Sequence, residues 1–189
     1  MAGVREQAKA QRREALVGAA TRLFAERGFD RVSIEELGAA AGVSGPAVYR
    51  HFASKQAVLA AILVEVSEWL LREGSAVVQQ APDASAAIEG LVAFHVDFAL
   101  SSADVIRVQD RDLDKLAEPD QHAVRSAQRR YVELWVGMLA QLLPGQAAAA
   151  LRLRAHAGFG LMNSTPHSVR EIAGARASLV AMARAALLV

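Results

Sequence analysis

Val32-Ser33-Ile34-Glu35-Glu36-Leu37-Gly38-Ala39-Ala40-Ala41-Gly42-Val43-Ser44-Gly45-Pro46-Ala47-Val48 holds two helix starts separated by one tight turn. Ser33 reads as an N-cap, and Glu36, three residues on, can reach back to its backbone N–H, which makes a capping box. Val32 and Leu37 occupy the two hydrophobic staple positions around it. The device then repeats, with Ser44 as N-cap, Val43 and Val48 as staple, and Pro46 in the first turn, where a missing N–H costs nothing. The spacing predicts a short helix from Ser33 that ends at Gly42, a Gly-centred turn, and a second short helix from Ser44.

Outward from this pair the chain reads as helix almost throughout. Upstream, Leu16, Ala20, Leu23 and Phe24 fall at i, i+4, i+7 and i+8, the stripe of an amphipathic helix over residues 5–27 that stops at Gly28. Downstream, Ser54-Lys55 starts a long helix that ends near Gln80, ahead of Pro82. Further helices are predicted over residues 83–100, 104–117 (irregular), 120–143, 147–162 and 168–188. Composition agrees: 40 of the 189 residues are Ala, the best helix former, and aromatics are only 5%. An all-α fold is expected, with a head over residues 1–53 and a helical body over residues 54–189.

Composition also removes whole classes of chemistry. With no cysteine, disulfides, thiol catalysis and cysteine-ligated zinc are excluded. The five histidines lack metal-ligand spacing, and no phosphate-binding loop, zinc-protease motif or nucleophile elbow occurs. Neither a metal nor a cofactor is expected, and an enzyme is disfavoured. The start of the chain has no apolar signal core, and no long uncharged apolar run suggests a membrane span, so a soluble cytoplasmic protein is expected. The net charge of +1 is unevenly spread, because residues 1–55 hold 9 Lys/Arg against 6 Asp/Glu and the remainder 12 against 14. A mildly basic head on a near-neutral body results.

Two short helices joined by a Gly-centred turn have the spacing of a helix-turn-helix, whose second helix enters the DNA major groove. The flanking text is more specific. Phe24-Ala25-Glu26-Arg27-Gly28-Phe29, the capped pair itself, then Ala47-Val48-Tyr49-Arg50-His51-Phe52 and Ser54-Lys55 together resemble the DNA-binding domain of the tetracycline-repressor (TetR) family over about residues 13–63. The resemblance implies DNA contacts at Ser33, Ser44, Gly45, Pro46, Ala47, Tyr49, Arg50, His51 and Lys55. The residues themselves fit: Gly45, Pro46 and Ala47 are small enough for close approach to the groove, Ser44 and Arg50 can read bases, and Tyr49, His51 and Lys55 carry tips suited to phosphate oxygens. Arg5, Lys9, Arg12 and Arg13 form a basic leader that could lie along the DNA backbone or simply face solvent.

In the body, polar and aromatic residues crowd helical stripes, and a bundle that binds a small molecule builds its pocket from such groups. The candidates are Trp69, Phe94, His95, Phe98, Arg129, Tyr131, Trp135, Met138, Phe159 and Asn163. The family resemblance implies a repressor that binds palindromic double-stranded operator DNA as a homodimer built from its last two helices, here with Ala173, Gly174, Ala177, Ala181 and Ala185 at the contact. It also implies release by a small-molecule effector that shifts the long helix beginning at Ser54. The stretch from Arg111-Asp112-Leu113 through Arg129-Arg130-Tyr131, with the later Leu161-Met162-Asn163-Ser164-Thr165-Pro166-His167-Ser168, is similar to the C-terminal domains of actinobacterial TetR regulators of lipid metabolism, some of which bind acyl-coenzyme A esters. Two alternatives stay open: a constitutive DNA-binding protein without effector, and a small-molecule-binding helical protein.

Overall fold

The structure is a computed structural model that describes residues 2–164 and 173–188. Its described elements are helical: α1 (Ala2–Arg27), α2 (Ile34–Ala40), α3 (Gly45–Val48), α4 (Lys55–Gln80), α5 (Ala84–Ser101), α6 (Ala103–Asp112), α7 (Glu118–Leu142), α8 (Ala148–Met162) and α9 (Ala175–Leu188). Single 3-10 turns at Phe29–Arg31 and Leu113–Lys115 follow α1 and α6. The predicted boundaries hold to within a few residues, with two differences. Helix α1 begins at Ala2, so the basic leader is helical, and the start of the last predicted helix lies outside the described residues.

The chain forms two compact units. The first comprises Met1–Val66 with Arg107–Ala123, the second Ser67–Ile106 with Val124–Val189. This differs from a single cut after Ala53, because residues 107–123, just past the middle of the chain, fold with the N-terminal helices.

In the first unit, Leu16, Ala20 and Phe24 of α1 are buried with Phe29, Val32, Leu37, Val48, Phe52, Leu59 and Leu63. The capping box forms: the Ser33 hydroxyl accepts from the Glu36 backbone N–H at 3.2 Å, and Glu36 accepts from the Ser33 N–H at 2.8 Å. That backbone N–H, then the Ser33 hydroxyl, hold the Glu36 carboxyl below its usual range. The turn to α3 depends on two glycines. Gly42 adopts φ +71°, a left-handed conformation that suits glycine. At Gly38 the constraint is space, since a Cβ there would lie 2.8 Å from the Val43 carbonyl oxygen and 3.0 Å from the Gly45 nitrogen. Those neighbours are backbone and cannot swing away.

In the second unit, Leu91, Val92, Val96, Trp135, Leu139, Leu151, Met162, Leu179 and Leu187 belong to one buried cluster. Helix α5 is apolar and long enough, by length and composition alone, to cross a membrane. Here it is the core helix, with Ala87, Ile88, Leu91, Val92, Val96 and Ala99 buried. Its acidic residues face outward and pair with α9, Asp97 with Arg176 at 2.6 Å and Glu89 with Arg184 at 2.7 Å. Gly74 lets α4 meet the Tyr131 ring at Cε2 and Cδ2, and Gly158 faces Leu187 where α8 meets α9.

Replacing Gly38 by Ala is expected to lower stability by about 1–3 kcal/mol, the usual cost of overpacking against atoms that cannot move. Urea unfolding of the full chain measures it. Gly137→Ala, at a site where a Cβ would meet nothing within 4 Å, is the control expected to be neutral or mildly stabilising.

Candidate nucleic-acid interface and effector site

Helix α3 is only four residues long, and Tyr49, Arg50 and His51 continue it as a turn, with the Arg50 N–H bonded to the Ala47 carbonyl at 3.2 Å and the His51 N–H to that of Val48 at 2.9 Å. Val48 is fully buried and anchors the element, while Ser44, Pro46, Tyr49 and Arg50 are exposed. The Ser44 hydroxyl makes no capping bond, which leaves it available to an outside partner. Gly45 and Ala47 are half-buried, and a Cβ at Gly45 would make ordinary contact with Glu35 at 3.4–3.5 Å. The packing of α3 on α2 would therefore tolerate a methyl there. Ser33 is exposed, but its hydroxyl is engaged in the cap.

One of the residues expected to touch phosphate is placed differently, and a second is partly enclosed. The Lys55 ammonium turns inward, donates to the carbonyls of Phe29 and Val32, each at 2.9 Å, and lies 4.3 Å from the centre of the Phe29 ring. It thereby fastens the turn between α1 and α2. His51 is half-buried, with Nδ1 enclosed and unpaired, and borders a shallow hollow with Arg13, Phe52, Val64 and Glu65.

The same turn is held from a second direction, which the sequence did not disclose. The Arg111 guanidinium donates to the carbonyls of Phe24, which also accepts from the Gly28 N–H at 2.8 Å, and, at 3.4 Å, Ala25, both in the last turn of α1. It also pairs with Asp112 at 3.1 Å, and a Cβ on Gly28 (φ +88°) would touch it. Asp112 is buried and accepts from the Phe29 N–H at 3.3 Å. Lys115 adds an exposed ion pair to Asp30 at 3.3 Å.

In the second unit, eight of the ten predicted effector residues come together. Trp69 lies 5.2 Å from Phe94 and 6.0 Å from Phe98, ring centre to ring centre. His95 contacts the rings of Phe98, Tyr131, Trp135 and Phe159 at 4.9–6.2 Å. Its Nε2 lies 3.0 Å from Asn163 Oδ1, an oxygen that can only accept, so Nε2 carries the proton. Nδ1, 3.3 Å from the Tyr131 hydroxyl, then accepts from it. Burial pushes His95 down to about 4, against a smaller upward pull from Asn163, so the ring is neutral at physiological pH. Burial raises the Tyr131 phenol well above its ordinary value. The buried Trp135 indole N–H lies near enough to the Tyr131 oxygen to temper that rise, yet has no hydrogen-bond partner of ordinary geometry. An uncharged aromatic site with a few oriented polar groups is the result.

The remaining two do not join it. Met138 is half-buried against the wider core, and Arg129 is exposed on a different stripe of α7 from Tyr131 and Trp135. Two positions along a helix is about 200°, so Arg129 cannot share a face with Tyr131. Among the described residues, no group of three or more His, Asp and Glu could hold a metal ion.

Lys55→Met, which keeps the stem and removes the ammonium, is expected to destabilise the full chain by about 1–3 kcal/mol through the two lost charged hydrogen bonds. A melting curve reads this directly, and an unchanged midpoint would return Lys55 to a purely external role. His95 predicts an acid effect. Its folded value, near 4, lies below the ordinary 6.5, so the unfolded chain binds more protons between these limits. Stability is expected to fall as pH drops through that window, by up to about 1.4 kcal/mol per unit. Denaturant titrations across the window should show the slope diminished in His95→Gln.

Residues 16–62 match the family model described as bacterial regulatory proteins, tetR family. An HTH-type transcriptional repressor of Rhodococcus jostii, KstR2, is 27% identical over 132 residues, which cover 69% of this chain and 65% of that protein, just under two thirds of its length. An HTH-type transcriptional regulator of Haemophilus influenzae is 30% identical over 145 residues, covering 76% of this chain and 68% of its own. Among solved structures, a TetR-family regulator from Bordetella parapertussis superposes with a TM-score of 0.81 at 26% identity, covering 93% of this chain and 91% of that one. A helix-turn-helix in the matched segment, a helical body behind it and relatives of this kind make the chain a member of the TetR family of bacterial regulatory proteins.

Proposed function

We propose that the protein is a transcriptional repressor that binds palindromic double-stranded operator DNA as a homodimer and leaves it when a small molecule occupies the body. The observation that carries this reading is the exposure of Ser44, Pro46, Tyr49 and Arg50 on the second helix of a pair pinned at Gly38. Short side chains at Gly45, Pro46 and Ala47 suit close approach to the groove, Arg50 and Ser44 suit base edges, and Tyr49, 57% exposed, suits a phosphate; His51 is proposed with them as a phosphate contact.

Dimer formation is supported by what α8 and α9 leave uncovered. Ala177, Ala181 and Ala185 form an exposed i, i+4, i+8 stripe, beside Met182 at 49% and Leu153 at 71% exposure. Exposed apolar surface on adjoining helices favours a partner, and small side chains allow close packing. Ala173 and Gly174 lie in the turn before α9 rather than on this stripe.

The effector site proposed is the cluster around His95, Tyr131, Trp135, Phe159 and Asn163. A constitutive DNA-binding protein has no need of buried polar groups facing one another among aromatic rings. The acyl part of an acyl-CoA, or another lipid-related effector, suits its apolar, uncharged walls. AibR, solved in complex with isovaleryl coenzyme A and operator DNA, has the same fold, with a TM-score of 0.74 at 17% identity over 90% of this chain and 97% of its own.

Selection of bound duplexes from a random pool tests the reading. Two inverted half-sites about 34–36 Å apart, or a multiple of that spacing, are expected. Ala181→Glu, which places a carboxylate in the proposed contact, should sediment as a monomer and lose the selected site. Recovery of unselected sequence alone, with binding governed only by salt, would overturn the repressor; a dimeric variant with full affinity would overturn the α8–α9 contact.

A further inference from the structure

Helix α7 presents a second surface with the opposite chemistry. Arg125, Gln128, Arg129 and Val132 follow one another at i, i+3, i+4 and i+7, a stripe separate from the buried Val124, Ala127, Tyr131 and Trp135. Across from it on α8 stand Arg152 and His156, at i and i+4. These residues line an open groove of about 480 Å³. That volume lies within the range of small-molecule sites.

The charges in the groove are unequally matched. Glu133 accepts two bonds from Arg152, at 2.6 Å from Nε and 3.2 Å from Nη2, so this pair is internally neutral. Arg125 and Arg129 remain, both exposed and with no ion pair among the described residues. Like charges at i and i+4 oppose helix formation, and Arg130 adds a third cation within the same two turns. A guanidinium offers a planar fork of N–H donors that matches phosphate oxygens in pairs. Gln128 and His156 supply further polar atoms within the same walls.

We propose that the α7–α8 groove binds a small molecule bearing phosphate groups, held by Arg125 and Arg129. The neutral aromatic cluster on the inner face of α7 has no cation to receive such a group, so this is a separate site. The inference concerns the body alone and does not depend on whether the chain binds DNA. The phosphates can come from a free nucleotide or from the coenzyme A end of a thioester.

Calorimetric titration of the full chain with pyrophosphate, ADP, octanoyl-CoA and, as the phosphate-free control, adenosine tests the proposal. At least one phosphate-bearing probe is expected to bind, more weakly as salt is raised, and adenosine is not. Arg125→Glu with Arg129→Glu should weaken that binding by about tenfold or more at an unchanged melting temperature. Should the reversed charges unfold the chain, Arg125→Gln with Arg129→Gln removes the charge without reversing it and is expected to act in the same direction, while Arg125→Lys retains binding. Binding of ADP and pyrophosphate identifies a free phosphate compound, and binding of octanoyl-CoA alone, lost in the charge variants, identifies the head of a thioester. The proposal fails if no phosphate-bearing probe binds, or if folded charge variants bind as tightly as the original chain. Either result leaves the duplex selection, and the repressor it tests, untouched.

Discussion

The turn from Phe29 to Val32 sets where the helix-turn-helix begins, and it is too short to hold itself. Its carbonyls point at the Lys55 ammonium, its first N–H points at Asp112, and the end of α1 just before it is covered by the Arg111 guanidinium. A buried carboxylate is unfavourable unless paired and hydrogen-bonded, and Asp112 satisfies both conditions only in the presence of Arg111 and the Phe29 N–H. The placement of α2, and through Gly38 that of α3, therefore rests on charges supplied from the start of α4 and the end of α6. A small domain with a thin apolar core gains from such a clamp, because polar contacts are directional where apolar packing is not.

What could be read from the chain follows the range of the interactions. The Ser33–Glu36 box and the stops at Gly28 and Gly42 are local, and the helices they bound stand where these signals placed them. Phe94, His95 and Phe98 were legible as one face for the same reason, since helical periodicity needs no partner. Gly38 escaped notice because its role lies in the approach of two backbones, which a pattern of side chains does not register. Asp112 and Phe29 are 83 residues apart and carry no common signature. The direction of Lys55 was equally hidden: a lysine opening a helix reads the same whether its ammonium faces a phosphate or two carbonyls.

Helix α7 shows how one element can serve two dielectric environments. Its inner stripe excludes charge so strongly that a histidine packed there stays neutral, which makes shape and single hydrogen bonds the means of discrimination. Its outer stripe concentrates cations in water, where attraction is longer in range, weaker per contact and sensitive to salt. Arg129 and Tyr131 are two positions apart and belong to these different environments, because about 200° of helix separates them.

The N-terminal unit is discontinuous, closing only when Arg107–Ala123 joins Met1–Val66. Chains are made from the N-terminus at about 5–20 residues per second, and domains fold as they emerge. Here the first helices leave the ribosome several seconds before Arg111 and Asp112 exist to complete them. The nascent head has its Phe29 turn half-fastened until then, and it is completed only after residues 67–106 of the body have been synthesised. A contiguous excision of the first 66 residues would lack Arg111 and Asp112, and with them the second fastening of the Phe29 turn.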